Sequence, residues 1–320
     1  MISGQATTYD IPNYVGALFN TSDMVNSRAL LIRLGVLTGN GVPVHSKKFE
    51  WQVYPLGARD VAGHVEGAAA DTAAEYVRSN VYNTVQIFDR TVDIAWSALA
   101  NGGQLGSGNV GELGSNPVAD EEAWQIKNTL IDMGIDIDYC FINGTYNYPG
   151  NNSTNRRMGG LLEAIATNDV TGSSAELDGY KVNEAIQMIY DAGGDTGGLT
   201  ILTSSTQKLW LTENYITATR VESTRNVGGQ SIQSVQSEFG MLDILIDSNM
   251  PKDKLLILNL SMIKPRILYI PGMGFLFKKP VDAGTSSNKS RIYGEISLEW
   301  GNELAHAKLT GLTTAAPTKA

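Results

Sequence analysis

Gly106, Gly108 and Gly111 stand at the spacing GxGxxG, which can cradle a pyrophosphate where the glycines follow a strand and open a helix. That context is missing. No βαβ pattern surrounds the glycines, Gly114 and Pro117 interrupt any helix opening from them, and NGGQLGSGNVGELGSN reads as flexible linker. A nucleotide-binding α/β enzyme built on this loop is the catalytic alternative. His45, His64 and His306 lie far apart, none in HExxH or a comparable ligand spacing, and each reads as a surface or interface residue. Asp132 and Asp136 are one helical turn apart and could act as paired carboxylates, but a solvated or salt-bridged helix face accounts for the same spacing. Asp138 falls among Ile131, Ile135 and Ile142, where a carboxylate is expected to meet an arginine across a contact. Cys140 has no motif around it and reads as a small buried hydrophobe. Arg156 and Arg157 are two basic loop residues, too few for a nucleic-acid patch. These residues make no credible active site, and no catalytic residue, cofactor site or metal ligand is expected.

The element that must position several of them is the stretch Ser115 to Asn143, SNPVADEEAWQIKNTLIDMGIDIDYCFIN, which opens with Asn116 as a helix cap and Pro117 at the first helical position. Ala123, Ile126, Leu130, Met133, Ile137 and Phe141 recur at steps of three and four, and Trp124, Ile131, Ile135 and Ile142 form a second apolar row. The predicted helix, about 27 residues and roughly 40 Å long, is apolar over most of its circumference and needs cover on several sides. Its last turn also fits a strand, because Ile135, Ile137, Tyr139 and Phe141 alternate with Asp136 and Asp138.

The chain has 320 residues, room for roughly two compact domains, and a net charge of −9. That charge argues against a surface that wraps nucleic acid by neutralising phosphates, though not against a wall that encloses it. One cysteine rules out an internal disulfide framework and agrees with a reducing compartment. No apolar run approaches the roughly 18 residues needed to span a bilayer, and the N-terminus lacks a charged region followed by an apolar one. A cytoplasmic protein with no membrane partner is expected.

Residues Met1 to about Pro43 read as an arm. YDIPNYVGALFN is punctuated by Pro and Gly, yet Tyr9, Ile11, Tyr14, Val15, Leu18 and Phe19 make it too apolar for a free tail, so it is expected to lie on a neighbour. From Ser46 to Leu56, Phe49, Trp51 and Val53 alternate with Lys48, Glu50, Gln52 and Tyr54, and VYNTVQIFDRTVDI at Val81 to Ile94 matches as the partner strand. Between them lies GARDVAGHVEGAAADTAAEYVRSN, weak material for a core, so the pair reads as a long two-stranded projection that rests on something outside itself. A short helix is expected at Thr91 to Ala100. Residues of about 180 to 265 read as a compact α/β unit, with VNEAIQMIYDAGG as a helix closed by glycine, GLTILTS as a buried strand, and STQKLWLTENYI as a helix with Ser205 or Thr206 near its cap. SIQSVQSEFGMLDILIDSNM, DKLLILNL and KPRILYI add strands to that unit; SRIYGEISLEWGNELAHAKLTGL supplies closing strands and TTAAPTKA a disordered tail.

The order of parts, with YDIPNYVGALF, FEWQVYPLGARDVAGHVEGAAA followed by YNTVQIFDRTVDI, and EISLEWGNELAHAKLTGL, resembles the major capsid proteins of tailed double-stranded DNA bacteriophages with the Hong Kong ninety-seven fold. The resemblance covers nearly the whole chain and rests on whole segments. It implies an α+β chain divided into an N-terminal arm (1–45), an extended β-hairpin loop (46–96), a peripheral domain with the spine helix (97–179), a compact α/β axial domain (180–264), strands returning to the peripheral domain (265–312) and a tail (313–320). It implies a structural protein without cofactor that self-assembles through pentamers and hexamers into an icosahedral virion shell. Assembly in the bacterial host cytoplasm, enclosure of packaged double-stranded DNA, and portal, scaffolding or decoration proteins as partners follow from the same resemblance. An encapsulin-like compartment shell is the alternative on the same fold. Nothing before Tyr9 matches the cleaved scaffolding extension of some relatives, so scaffolding is expected to be absent or separate. Subunit contacts are expected at Tyr9, Tyr14 and Phe19 of the arm, at Phe49, Trp51 and Arg59 of the loop, and at Asp138 of the spine helix.

Overall fold

The computed structural model describes residues 25–36, 40–54, 63–67, 69, 76–100, 121–151, 153–219, 234–282 and 284–317. A single turn of 3-10 helix at Val25–Ser27 leads into helix α1 (Ala29–Leu34), which Gly35 ends at φ 67 with its N–H turned back to the carbonyls of Ile32 and Leu31. Strand β1 (Val42–Val44), the hairpin β2 (Lys48–Val53) and β3 (Ser79–Thr84), strand β4 (Gln86–Ala95), and helices α2 (Trp96–Ala100), α3 (Glu121–Asn143) and α4 (Leu161–Ala164) follow. Then come β5 (Asp169–Thr171), α5 (Gly179–Asp191), β6 (Thr200–Thr203), α6 (Ser205–Thr219), β7 (Ser234–Ser237), β8 (Gly240–Ile246) and β9 (Leu255–Leu258). Strands β10 (Lys264–Leu268), β11 (Leu276–Val281), β12 (Ser287–Glu299) and β13 (Ala307–Thr310) complete the chain.

One sheet is built around β12, against which β4, β10 and β11 all run antiparallel, with β1 added in parallel on β10. The strand suits that central place because Ile292, Ile296 and Leu298 alternate with Tyr293, Glu295, Ser297 and Glu299, so one face is apolar and the other polar. A second sheet runs β5-β13-β9-β6-β8-β7. Its inner strands β6 and β9 are buried along their whole length, which explains their unbroken runs TILT and LLIL. The pleat of β9 divides two cores. Leu256 and Leu258 join the cluster of Leu30, Met133, Ile137, Phe141 and Ile296, whereas Leu255 and Ile257 join Val182, Ala185, Ile186 and Ile189 of α5 and Leu309 of β13. Helix α5 is one-sided, as that i, i+3, i+4, i+7 spacing requires, and Asp178 caps it at the Tyr180 N–H.

The structure corrects several expectations. Ala29 to Val36 are not part of an arm, since Leu30, Leu31 and Val36 are fully buried in the first core. The strand expected at Val81 to Ile94 is two strands. The chain breaks at Val85, whose N–H bonds the Lys47 carbonyl at 3.0 Å, and there β3 ends its pairing with β2 while β4 turns to β12. Helix α2 begins only at Trp96 because β4 stays paired through Ala95. The closing strands separate, β12 going to the first sheet and β13 to the second, and KPRILYI contributes β10 to the first sheet rather than the second. The end of α3 is helical through Asn143, since burying Met133, Ile137 and Phe141 together takes the helical period. Residues 313–317, expected to be disordered, are held, with Gln207 Nε2 donating to Thr313 O at 2.7 Å and Trp210 Nε1 to Ala315 O at 2.9 Å. The start of the long helix at Asn116 and Pro117 lies outside the described residues, as do Gly106 to Gly111.

Candidate functional site

The hairpin β2–β3 pairs as a strand ladder with neither of the two larger sheets, so side chains tie it to them. Asn83 of β3, fully buried, donates from Nδ2 to Leu298 O at 2.7 Å and Gly159 O at 3.2 Å, and its Oδ1 accepts the N–H of Gly159 at 3.0 Å and of Thr84 at 2.8 Å. Every polar valence of the amide is used, and β3 is thereby tied to β12 and to the loop before α4. Beside it, the Trp51 indole N–H donates to Gly301 O at 2.7 Å and its ring meets Trp300 edge-on at 5.0 Å, a geometry that contributes about 1 kcal/mol beyond burial. Phe49 stacks on Trp51 at 5.8 Å. Both rings stay only half-buried, Phe49 and Trp51 alike. Trp51 has part of its apolar cover inside its own chain, and Phe49 is applied to that same anchor. Tyr9, Tyr14, Phe19 and Arg59 lie outside the described residues.

Helix α3 lies against β4, β12, α1 and α4. It buries Met133, Ile137, Phe141 and Ile142 in full, while Trp124 and Tyr139 remain 38% and 54% exposed. Of the second apolar row, Trp124 is exposed, Ile131 and Ile135 are half-buried and Ile142 is fully buried. Asp136 of this helix meets Arg90 of β4, whose Nε lies 3.1 Å from Oδ2, and Asp132 is exposed; the pair forms a salt-bridged outer face.

Asp138 is a further correction. It is fully buried, and its partners are the Leu31 N–H at 2.7 Å and the Asn249 amide at 3.0 Å, so it lies inside the subunit and away from any contact surface. Burial and the neighbouring Asp247 push its carboxyl up to about 8. Asp247, also fully buried, accepts the N–H groups of Ala29 at 3.0 Å, Leu30 at 3.2 Å and Asn249 at 2.9 Å.

His306 is likewise buried, whereas His45 and His64 are exposed as expected. The His306 Nδ1 accepts the Asn259 N–H at 3.1 Å while Nε2 lies 2.8 Å from Trp300 O, an arrangement that fits the neutral Nε2–H tautomer, and burial holds its pKa below the usual value. Arg156 is no loose loop residue: it pairs with Glu295 of β12 at 2.8 Å with both side chains largely covered, and Tyr293 donates to the same carboxylate at 2.6 Å. Cys140 is half-buried beside Gln86, and burial raises its thiol pKa. Among the described residues no group of three His, Cys, Asp or Glu could hold a metal ion, and no helix is long and apolar enough to cross a membrane. Asn83, Asp247 and Asn249 were not singled out from the sequence. Each works through partners far along the chain, and no local pattern marks them.

The family described as SU10 major capsid protein matches residues 1–313. No curated protein matches the sequence. The fold is similar to that of the capsid asymmetric unit of cyanophage A-1(L), at 14% identity over 95% of this chain and 97% of that one, with a TM-score of 0.68. It is also similar to the holo-SrpI encapsulin complex from Synechococcus elongatus PCC 7942, at 13% identity over 98% and 97% of the two chains with a TM-score of 0.63, and to Mycobacterium phage Bobi, at 13% identity over 95% and 96% with a TM-score of 0.59. Buried polar groups that tie segments distant in the sequence together, Asn83 and Asp247 among them, suit a building block, and the family match spans nearly the whole chain: the chain belongs to the SU10 major capsid protein family, structural subunits of the virion shell.

Proposed function

We propose that this chain forms the main wall of a phage head, assembling as pentamers and hexamers in the bacterial host cytoplasm around double-stranded DNA. The observation that carries the reading is the family match over residues 1–313. The net charge of −9 suits a wall that holds DNA without gripping it. Copies would meet through exposed aromatic side chains, namely Tyr54 and Tyr76 by the hairpin and Trp124 and Tyr139 of α3. The arm, loop, peripheral and axial subdivision, and portal, scaffolding or decoration partners, belong to the same proposal.

The test is to replace residues 58–78 by a short Gly-Ser turn, which leaves β2, β3 and the Asn83 anchor in place, and to compare particles by negative-stain microscopy. The variant should fold and stay as small oligomers while the wild type builds shells. Normal shells from the variant would remove the hairpin from the assembly contacts. Nucleic acid recovered from nuclease-treated shells, formed with the neighbouring genes expressed, supports a DNA container; an enzyme as the sole content supports the compartment shell.

A further inference from the structure

Three segments distant in sequence converge where α1 begins. Asp138 comes from α3, Asp247 follows β8, and Asn249 bridges them, its side chain donating to Asp138 Oδ2 at 3.0 Å and to Ser27 O at 2.8 Å while its N–H donates to Asp247 Oδ1 at 2.9 Å. The first amides of α1 complete the cluster, with Ala29 and Leu30 on Asp247 and Leu31 on Asp138. Two fully buried carboxyl groups bridged by one side chain cannot both carry charge without a large penalty. The charged groups nearby are engaged elsewhere or packed along the helix: Arg33 of α1 faces Asp243 of β8 at 3.4 Å, Asp136 of α3 pairs with Arg90, and the Arg28 side chain runs along Gly134 of α3.

We propose that Asp138 and Asp247 hold one proton between them and form a latch that fastens α1 to α3 and to the turn after β8. The proton is placed on Asp138, which accepts two N–H donors where Asp247 accepts three. Protonated Asp138 can donate to Asp247 and still accept from Leu31 and Asn249. Opening the latch exposes Asp138 to water, where it gives up the proton. The sign is therefore fixed: the native state holds a proton that the open state releases, so the closed latch is favoured at low pH and loses ground as pH rises towards about 8.

Hydrogen exchange of residues 26–34 in the full-length protein tests this. After correction for intrinsic rates, protection of the α1 amides should fall about tenfold per pH unit between about pH 5 and 7 and level off above about 8. Asp138→Asn, which supplies a permanent N–H donor to Asp247, should abolish that slope. Equal slopes in wild type and variant would overturn the proposal. If Asp138→Asn does not fold, infrared spectroscopy of the wild type decides: a protonated carboxyl band present at pH 6 and lost by pH 9 supports the shared proton, and its absence at pH 6 overturns it.

Discussion

Asn83→Ala should release the hairpin from the body of the subunit. The substitution leaves Leu298 O, Gly159 O and the N–H groups of Gly159 and Thr84 without the amide that now satisfies them. At about 1 kcal/mol for each orphaned buried group, the lower end of the usual range, the loss is about 4 kcal/mol. That is a large part of a typical stability of about 5–15 kcal/mol, and it corresponds to a fall in Tm on the order of 8 °C. Urea unfolding of unassembled subunits reads it directly, with fluorescence reporting on Trp51 and Trp300, which lie next to the hairpin root. Asn83→Asp is the informative companion. It keeps an acceptor for the two N–H groups but turns a carboxylate oxygen towards two carbonyls, so it should be at least as damaging at neutral pH and recover in part as acid protonates it. An Asn83→Ala protein within 1 kcal/mol of wild type would refute the view that this amide fixes the hairpin.

Three further outcomes follow from the same geometry. His306 is buried and neutral, so its contribution is fully present above about pH 6.5 and is lost as pH falls and the unfolded chain takes up the proton first; the loss is at most about 1.4 kcal/mol per pH unit, should show in urea midpoints measured between pH 8 and 5, and should be absent from His306→Gln. Arg90→Ala breaks an exposed pair with Asp136 and should cost under about 1 kcal/mol, with the effect shrinking further at high salt. Gly160→Ala would place a Cβ 2.5 Å from Gly144 N and 2.9 Å from Cys140 O, backbone atoms that cannot step aside, so little soluble protein is expected on expression.

Elements with a sustained one-sided pattern were legible in the sequence, and those set by distant partners were not. Helix α5 and strand β12 each carry enough periods to declare a face. Helix α1, with only ALLIRL, does not, and its neighbours in sequence made it look like arm. The break between β3 and β4 did leave a trace: the inward positions move from odd numbers at Val81 and Val85 to even numbers at Phe88, Val92 and Ile94, a change of phase that a single strand cannot make. Asn83 left none, because its partners lie 76 and 215 residues away.

Trp51 shows what such patterns contain. Alternation reports that a face will be covered but not by which chain, and a half-buried indole is satisfied by Trp300 of its own subunit as well as by a neighbour. Trp51, Asn83 and Thr84 hydrogen-bond within the chain and fasten the root of the hairpin to the body of the subunit. A projection aimed in advance loses less conformational freedom on docking than one ordered by its partner. If copies dock through the hairpin outside the Val53–Ser79 pair, substitutions there should alter assembly without altering the stability of the isolated subunit.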